Sequence, residues 1–218
     1  MNLPRFKLGE INPRLAHENV GDAFQAFVFE VLLREFPQLH LFATGGKDGA
    51  IDLSQTADDS RVSCECKYVG ADDLTVVQAE WRTVAKRLEE HLAAPNGPTR
   101  GQSQYYPWYR KAPAIEKFIF CTSAQIKNQA STDKLSDEIA EFFQALSRRF
   151  PHLSHLSALK VEVLDWSDFV KKTTDQPHLV FRWFPKTRPN GFVPLDDPAP
   201  DTSFGAYLRS ENLSYYSR

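Results

Sequence analysis

Residues 45–68 read GGKDGAIDLSQTADDSRVSCECKY, and the fold turns on how this stretch is read. Ile51–Thr56 and Arg61–Tyr68 each alternate apolar and polar residues, the period of a strand exposed differently on its two faces. Ala57-Asp58-Asp59-Ser60 between them is a polar turn, so the stretch predicts a hairpin. If Thr56 pairs with Arg61, Asp52 falls directly opposite Glu65. Paired residues share a face, and Lys67 joins that face two positions on. Ile51, Leu53, Val62, Cys64 and Cys66 then face a core. A slip of one residue would separate the two acids and the lysine.

Working outward, the chain of 218 residues is long enough for one sizeable domain with a real core. It is 42% hydrophobic and 25% charged, ordinary for a globular protein. No apolar run approaches the ~18 residues of a membrane span, and MNLPRFKLGEINPR lacks the apolar centre of a signal peptide. A cytoplasmic location is the expectation, with no membrane partner. Cys64, Cys66 and Cys121 sit in apolar strand patterns and read as buried, reduced thiols. No Cys/His spacing suits zinc, and His152 and His155 lack nearby ligands to complete a metal site. The net charge of −2 argues against autonomous, tight nucleic-acid binding, which calls for a more basic surface.

Residues 1–18 are irregular. A helix is expected from Asn19 or Gly21 to Phe36, stopped by Pro37, with Gly21, Phe24, Gln25, Val28 and Leu32 facing inward. Leu39–Thr44 reads as a short strand leading into the hairpin. Asp73 or Thr75 caps a second helix over 76–92, with Val77, Trp81, Val84, Ala85, Leu88 and Leu92 as its apolar stripe. A Pro/Gly-rich loop follows, then the aromatic stretch Tyr105–Lys111. Strands are predicted at Ile115–Thr122, Lys160–Leu164 and Leu179–Phe184. A helix is predicted at Thr132–Phe150, and a short helix or turn at Asp165–Lys172. Strands alternating with helices around one tight hairpin imply an α/β fold: a three-layer α/β/α domain with a mixed central sheet. From Pro185, five of the chain's 14 prolines fall within 17 residues, which marks a linker. The division is therefore a domain over 1–185, its core about 19–170, and a Pro-rich linker and tail over 186–218.

Two carboxylates and a lysine suit phosphodiester hydrolysis. Mg2+ held by one or two carboxylates keeps several waters, and so supplies both an activated water and charge for the phosphate. A lysine beside it orients or deprotonates the water and offsets phosphate charge. Gly45-Gly46-Lys47-Asp48-Gly49-Ala50-Ile51-Asp52, followed by Glu65-Cys66-Lys67, resembles the PD-(D/E)xK nuclease superfamily, most of all its Mrr-like restriction endonuclease branch. The resemblance covers residues 19–170. It implies the restriction-endonuclease-like fold and Mg2+-dependent cleavage of DNA, double-stranded by expectation, with Mn2+ as a substitute. It implies Asp52 and Glu65 as metal ligands and Lys67 as the catalytic lysine. Many relatives carry a glutamate on the first helix where this chain has Gln25. Gln25 is the candidate for contact with metal-bound water, and Glu30 is the substitute from a different part of the helix. Asp48 is the rival of Asp52, in a Gly-rich turn where a turn role is usual.

Other stretches have plainer readings beside the functional ones. The aromatics and cations of Tyr105–Lys111 offer stacking for bases, but packing over the sheet edge is the commoner use. Arg82, Lys86 and Arg87 form a basic outer face of the second helix, which with Glu89 and Glu90 reads as a solvated face. Gln78 reads as a surface amide. Phe204, Tyr207, Leu208, Leu213 and Tyr215 after the linker resemble the junction between N-terminal effector nucleases and NTPase modules of bacterial anti-phage defence proteins. That implies a homo-oligomer assembled through a C-terminal NTPase or sensor domain. The reading from a different class is a catalytically silent nuclease-like module that binds DNA or mediates assembly.

Overall fold

The computed structural model describes residues 3–16, 19–42, 49–55, 61–95, 97 and 105–187. Its centre is a mixed five-stranded sheet in the order β1-β2-β3-β4-β5: His40–Leu41, Leu53–Gln55, Val62–Lys67, Lys117–Thr122 and Lys160–Leu164. The first three strands run antiparallel, and β3, β4 and β5 run parallel. The hairpin has the expected register over Leu53–Gln55, with Leu53 opposite Cys64, Ser54 opposite Ser63 and Gln55 opposite Val62, but Asp52, expected opposite Glu65, lies outside the ladder with its N–H on the Cys64 carbonyl. Its turn, Thr56–Ser60, lies outside the described residues, as do Ala43–Asp48 and everything beyond Thr187.

Parallel pairs need crossover connections, and helices supply them here. Between β3 and β4 lies α2 (Leu74–Leu92), capped by Asp73, whose side chain accepts from the Thr75 N–H at 2.8 Å. Between β4 and β5 lies α4 (Gln129–Arg149), capped by Asn128. Successive parallel crossovers of one hand place their helices on one face of a sheet. Accordingly α2 and α4 share a core with Phe118, Phe120 and Val163, in which Trp81, Leu135 and Phe143 are fully buried. The other face carries Val62, Cys64, Cys66, Ile119 and Cys121 against α1 (Val20–Leu32).

Helix α1 ends at Leu32, a turn before the predicted Phe36, and its buried surface is wider than the predicted stripe. Ala23 through Phe29, Val31 and Leu32 are all buried. The reason is a further layer of chain. Phe6 of the N-terminal segment, α5 (Trp166–Lys172) and α6 (Pro177–Trp183) cover the side of α1 turned away from the sheet. Of residues Leu179–Phe184, expected as a strand, Leu179–Trp183 are in α6 and Phe184 caps it. Pro177 occupies the first helical turn, where its fixed φ and missing N–H cost nothing. A short apolar run is ambiguous in period, and burial against α1 decides it.

A further correction concerns the hairpin, while the aromatic stretch keeps to its packing reading. Ile51 does not share a core with Leu53; it and Ala50 enter the α2/α4 core. The chain turns there because Gly49 (φ 67°) and Ala50 (φ 62°) are left-handed, which breaks strand alternation. The aromatic stretch forms one helical turn, α3 (Tyr106–Tyr109), with Trp108 fully buried. Trp108 stacks on Phe143 at 5.3 Å, and Tyr109 donates to the carbonyls of His91 and Ala94. These two aromatics are packing groups.

Candidate active site

Strand β3 has both edges paired inside the sheet, and its faces are covered by α1 on one side and by the α2/α4 core on the other, so each residue's neighbours are set by register. Val62, Cys64 and Cys66 enter the α1 core, leaving Ser63, Glu65 and Lys67 for the α2 face. Glu65 pairs with Phe120 of β4, which belongs to the α2/α4 core, and it is only 1% exposed. An ionised carboxylate buried that deeply requires charged partners. Lys67 Nζ lies 2.5 Å from Glu65 Oε1, and Arg87 Nη2, reaching back from α2, lies 3.2 Å from the same oxygen.

Asp52 stands at the head of β2, just outside the ladder, and is 7% exposed. Its N–H donates to the Cys64 carbonyl at 2.8 Å, although Cys64 is the register partner of Leu53. Two residues of one strand therefore address one of the other, the count that defines a β-bulge and that re-aims a side chain. The Asp52 carboxylate takes over a strand contact, accepting the Cys66 N–H at 2.5 Å. Its carbonyl accepts from the Phe42 N–H at 2.9 Å and from Gln25 Nε2 at 3.2 Å. The backbone of Asp52 is thus clamped from both sides.

Asp52, Glu65 and Lys67 form one electrostatic unit. Burial alone would lower the Lys67 pKa, but the charges of Glu65 and Asp52 and the hydrogen bond to Glu65 outweigh it, and the net shift is upward. Lys67 is a firmly held ammonium. The thiols of Cys64, Cys66 and Cys121 are pushed up by burial, so they stay protonated and unreactive. With Cys64 and Cys66 packed in the α1 core, the α2 face offers oxygen ligands without thiolates. Among the described residues, no three His, Cys, Asp or Glu side chains cluster as a metal cage. Two carboxylates are nevertheless the donor set with which Mg2+ or Mn2+ is commonly held, the remaining positions going to water. The residues present fit such an ion.

The other expected site residues divide. Gln25, 6% exposed, reaches the site from α1, but its amide nitrogen ends on the backbone of Asp52. Glu30 points elsewhere: it accepts from Trp183 Nε1 at 2.9 Å and pairs with Arg182 of α6 at 3.3 Å. Burial pushes its pKa up, against the pull of Arg182 and Trp183. Glu30 therefore serves the packing of α6. Asp48 lies outside the described residues. Gln78 donates to Glu138 at 3.0 Å. Nε2–H of His152 and of His155 donates to the backbone carbonyls of Leu92 and Trp108, a structural use of both rings.

Arg87 is the site residue that the sequence reading places on a solvated face. The available signal was slight: it follows the inward Val84 by three and precedes Leu88, so it stands at the edge of the apolar stripe. A long stem at such an edge can turn under the helix. No family model, curated protein or solved structure matches this chain.

Proposed function

We propose that this chain is a Mg2+-dependent DNA endonuclease of the PD-(D/E)xK type, built as a three-layer α/β/α restriction-endonuclease-like core and acting in bacterial anti-phage defence or restriction. The observation that carries the reading is the convergence of Asp52, Glu65 and Lys67. A buried strand presents Glu65 and Lys67 on one face, and the bulged head of its neighbour presents Asp52, with both carboxylates acting on one ammonium. Two like charges held in such surroundings repel unless a cation stands with them.

A bound Mg2+ would supply an activated water and positive charge for the phosphate. The chain's own residues have distinct parts. Asp52 and Glu65 would hold the ion through one oxygen or more each. Lys67, held as a cation, would orient the attacking water and balance charge on the phosphodiester. Gln25 positions Asp52 through its carbonyl. Double-stranded DNA is the proposed substrate, and a homo-oligomer joined through a C-terminal NTPase or sensor module is the proposed setting. The slight negative net charge supports that setting, because DNA engagement would draw on several subunits. The tail that carries this part of the reading lies outside the described residues. Cytoplasmic location is part of the same proposal; among the described residues no helix is long and apolar enough to cross a membrane.

One observation favours a second reading, a catalytically silent module that binds DNA or mediates assembly. Glu65 already has two side-chain cations on one oxygen. A plasmid-nicking assay with Mg2+ and with EDTA separates the readings. Asp52→Ala and Lys67→Ala are each expected to lose metal-dependent cleavage by about a hundred-fold or more, as removal of a general catalyst or an electrostatic donor does. Cleavage surviving both substitutions would sink the site assignment. A chain inactive alone but active when fused to an oligomerising module supports the assembly requirement; inactivity in both forms supports the silent module.

A further inference from the structure

We infer that Arg87 is a switching phosphate-binding residue: it neutralises Glu65 while the site is empty of substrate and moves to the phosphodiester when DNA and metal bind. The inference rests on the nuclease reading above and extends it to a residue on a separate element.

Three observations carry it. Arg87 Nη2 and Lys67 Nζ converge on the same Glu65 oxygen, at 3.2 and 2.5 Å. Among the described residues of the site, two carboxylates thus face two cations, and charge is balanced without a metal. Second, the Arg87 side chain is 34% exposed whereas Glu65 is 1% exposed, so Arg87 reaches the acid from the open side of the site. Third, Arg87 Nε is buried with no hydrogen-bond acceptor among the described residues, so the arrangement they show leaves one donor of the guanidinium unused. An unsatisfied buried donor makes that arrangement less favourable than its ion pair alone implies.

A divalent ion added to a balanced site brings excess positive charge. A phosphodiester brings negative charge and two acceptor oxygens, a match for the planar fork of a guanidinium. Transfer of Arg87 from Glu65 to the phosphate frees carboxylate oxygen for the ion and restores balance. Metal and nucleic acid should then bind cooperatively, and Arg87 should be the source of the coupling. A coupling of roughly ten-fold lies within the usual range for linked sites.

The test is equilibrium binding of Mn2+, read by electron paramagnetic resonance, with and without a phosphorothioate-backbone duplex. The full chain is compared with Arg87→Met, which keeps the aliphatic stem, and with Arg87→Lys, which keeps the charge. Circular dichroism and thermal melts establish that each variant is folded. The expected result is that Arg87→Met alone binds Mn2+ about ten-fold tighter than the parent. The duplex should tighten Mn2+ for the parent and have little further effect on Arg87→Met, while Arg87→Lys without duplex stays near the parent. Equal Mn2+ affinity of parent and Arg87→Met in the absence of duplex would overturn the inference and leave the metal site standing. Mn2+ binding absent from all three proteins, with and without duplex, would overturn the nuclease reading and this inference together.

Discussion

Trp108 holds the approach to Asp52 through one hydrogen bond. Its Nε1–H donates to the Gly49 carbonyl at 2.8 Å, just where Gly49 and Ala50 adopt left-handed backbone. A left-handed alanine costs roughly 1–2 kcal/mol, so this turn persists because its surroundings over-determine it. The turn sends Ile51 into one core and Leu53 into the other, and sets Asp52 at the point of crossing. Trp108→Phe keeps a ring against Phe143 but removes the donor and part of the indole's buried volume, leaving the Gly49 carbonyl without that bond and a small cavity beside it. We expect a loss in urea unfolding of more than the ~1 kcal/mol usual for one hydrogen bond, because the cavity adds to it. A change below the ~0.5 kcal/mol lower end of that range would show that the bond does not hold the turn.

At the scale of elements, the 3₁₀ segment Pro151–Ala158 ties the end of α4 to α2 and α3. His155 does this as a neutral ring: Nε2–H donates to Trp108, and Nδ1 is buried without a hydrogen-bond partner among the described residues. Burial lowers its pKa, with the charges of Lys111 and His152 adding to the effect and the Trp108 carbonyl opposing it. A depressed histidine pKa means that the folded state disfavours the extra proton. The stability contributed is present above the unfolded-state pKa of about 6.5, and is lost as pH falls from there through the lower folded-state value. Melting temperatures taken from about pH 7 to about pH 5 should fall more for the parent than for His155→Gln, which retains an amide donor but cannot ionise. Parallel curves would show that His155 does not carry the dependence.

For the whole molecule, the N-terminal segment is part of the core although its sequence reads as irregular. Phe6 lies 5.4 Å from the rings of Phe24 and Phe27, and 6.0–6.1 Å from those of Trp166, Trp183 and Phe184. Asn12 adds two bonds to the far end of the domain, from its side chain to the Arg182 carbonyl and from its N–H to that of Trp183. The first described segment and α6 meet over α1 and close the core on that side. Phe6→Ala should therefore cost about 3–5 kcal/mol, as for a fully buried phenylalanine, and should loosen α6 together with α1. Urea denaturation followed by tryptophan fluorescence, to which Trp166 and Trp183 contribute beside Trp81 and Trp108, checks it. A cost near that of a surface substitution, within about 0.5 kcal/mol, would mean that the segment merely lies against the domain.

Local periodicity and chemistry were enough for the hairpin register over Leu53–Gln55, a cap at Asp73 or Thr75 of which the structure takes Asp73, the sequence extent of β5 and the placing of Glu65 with Lys67 on one face. Each depends on residues close in sequence, where alternation or helical spacing leaves one consistent arrangement. What the tertiary structure alone decided are matters of distant contact. Leu179–Trp183 became helix because α1 offered it a face; Ile51 changed cores at a left-handed turn; Glu30 turned to α6 and Gln25 to a backbone carbonyl. Arg87 entered the site because α2 folds back over β3, a meeting of residues 22 positions apart. A period along the chain tells which side of an element is apolar, and only the packing of the other elements tells what lies against it.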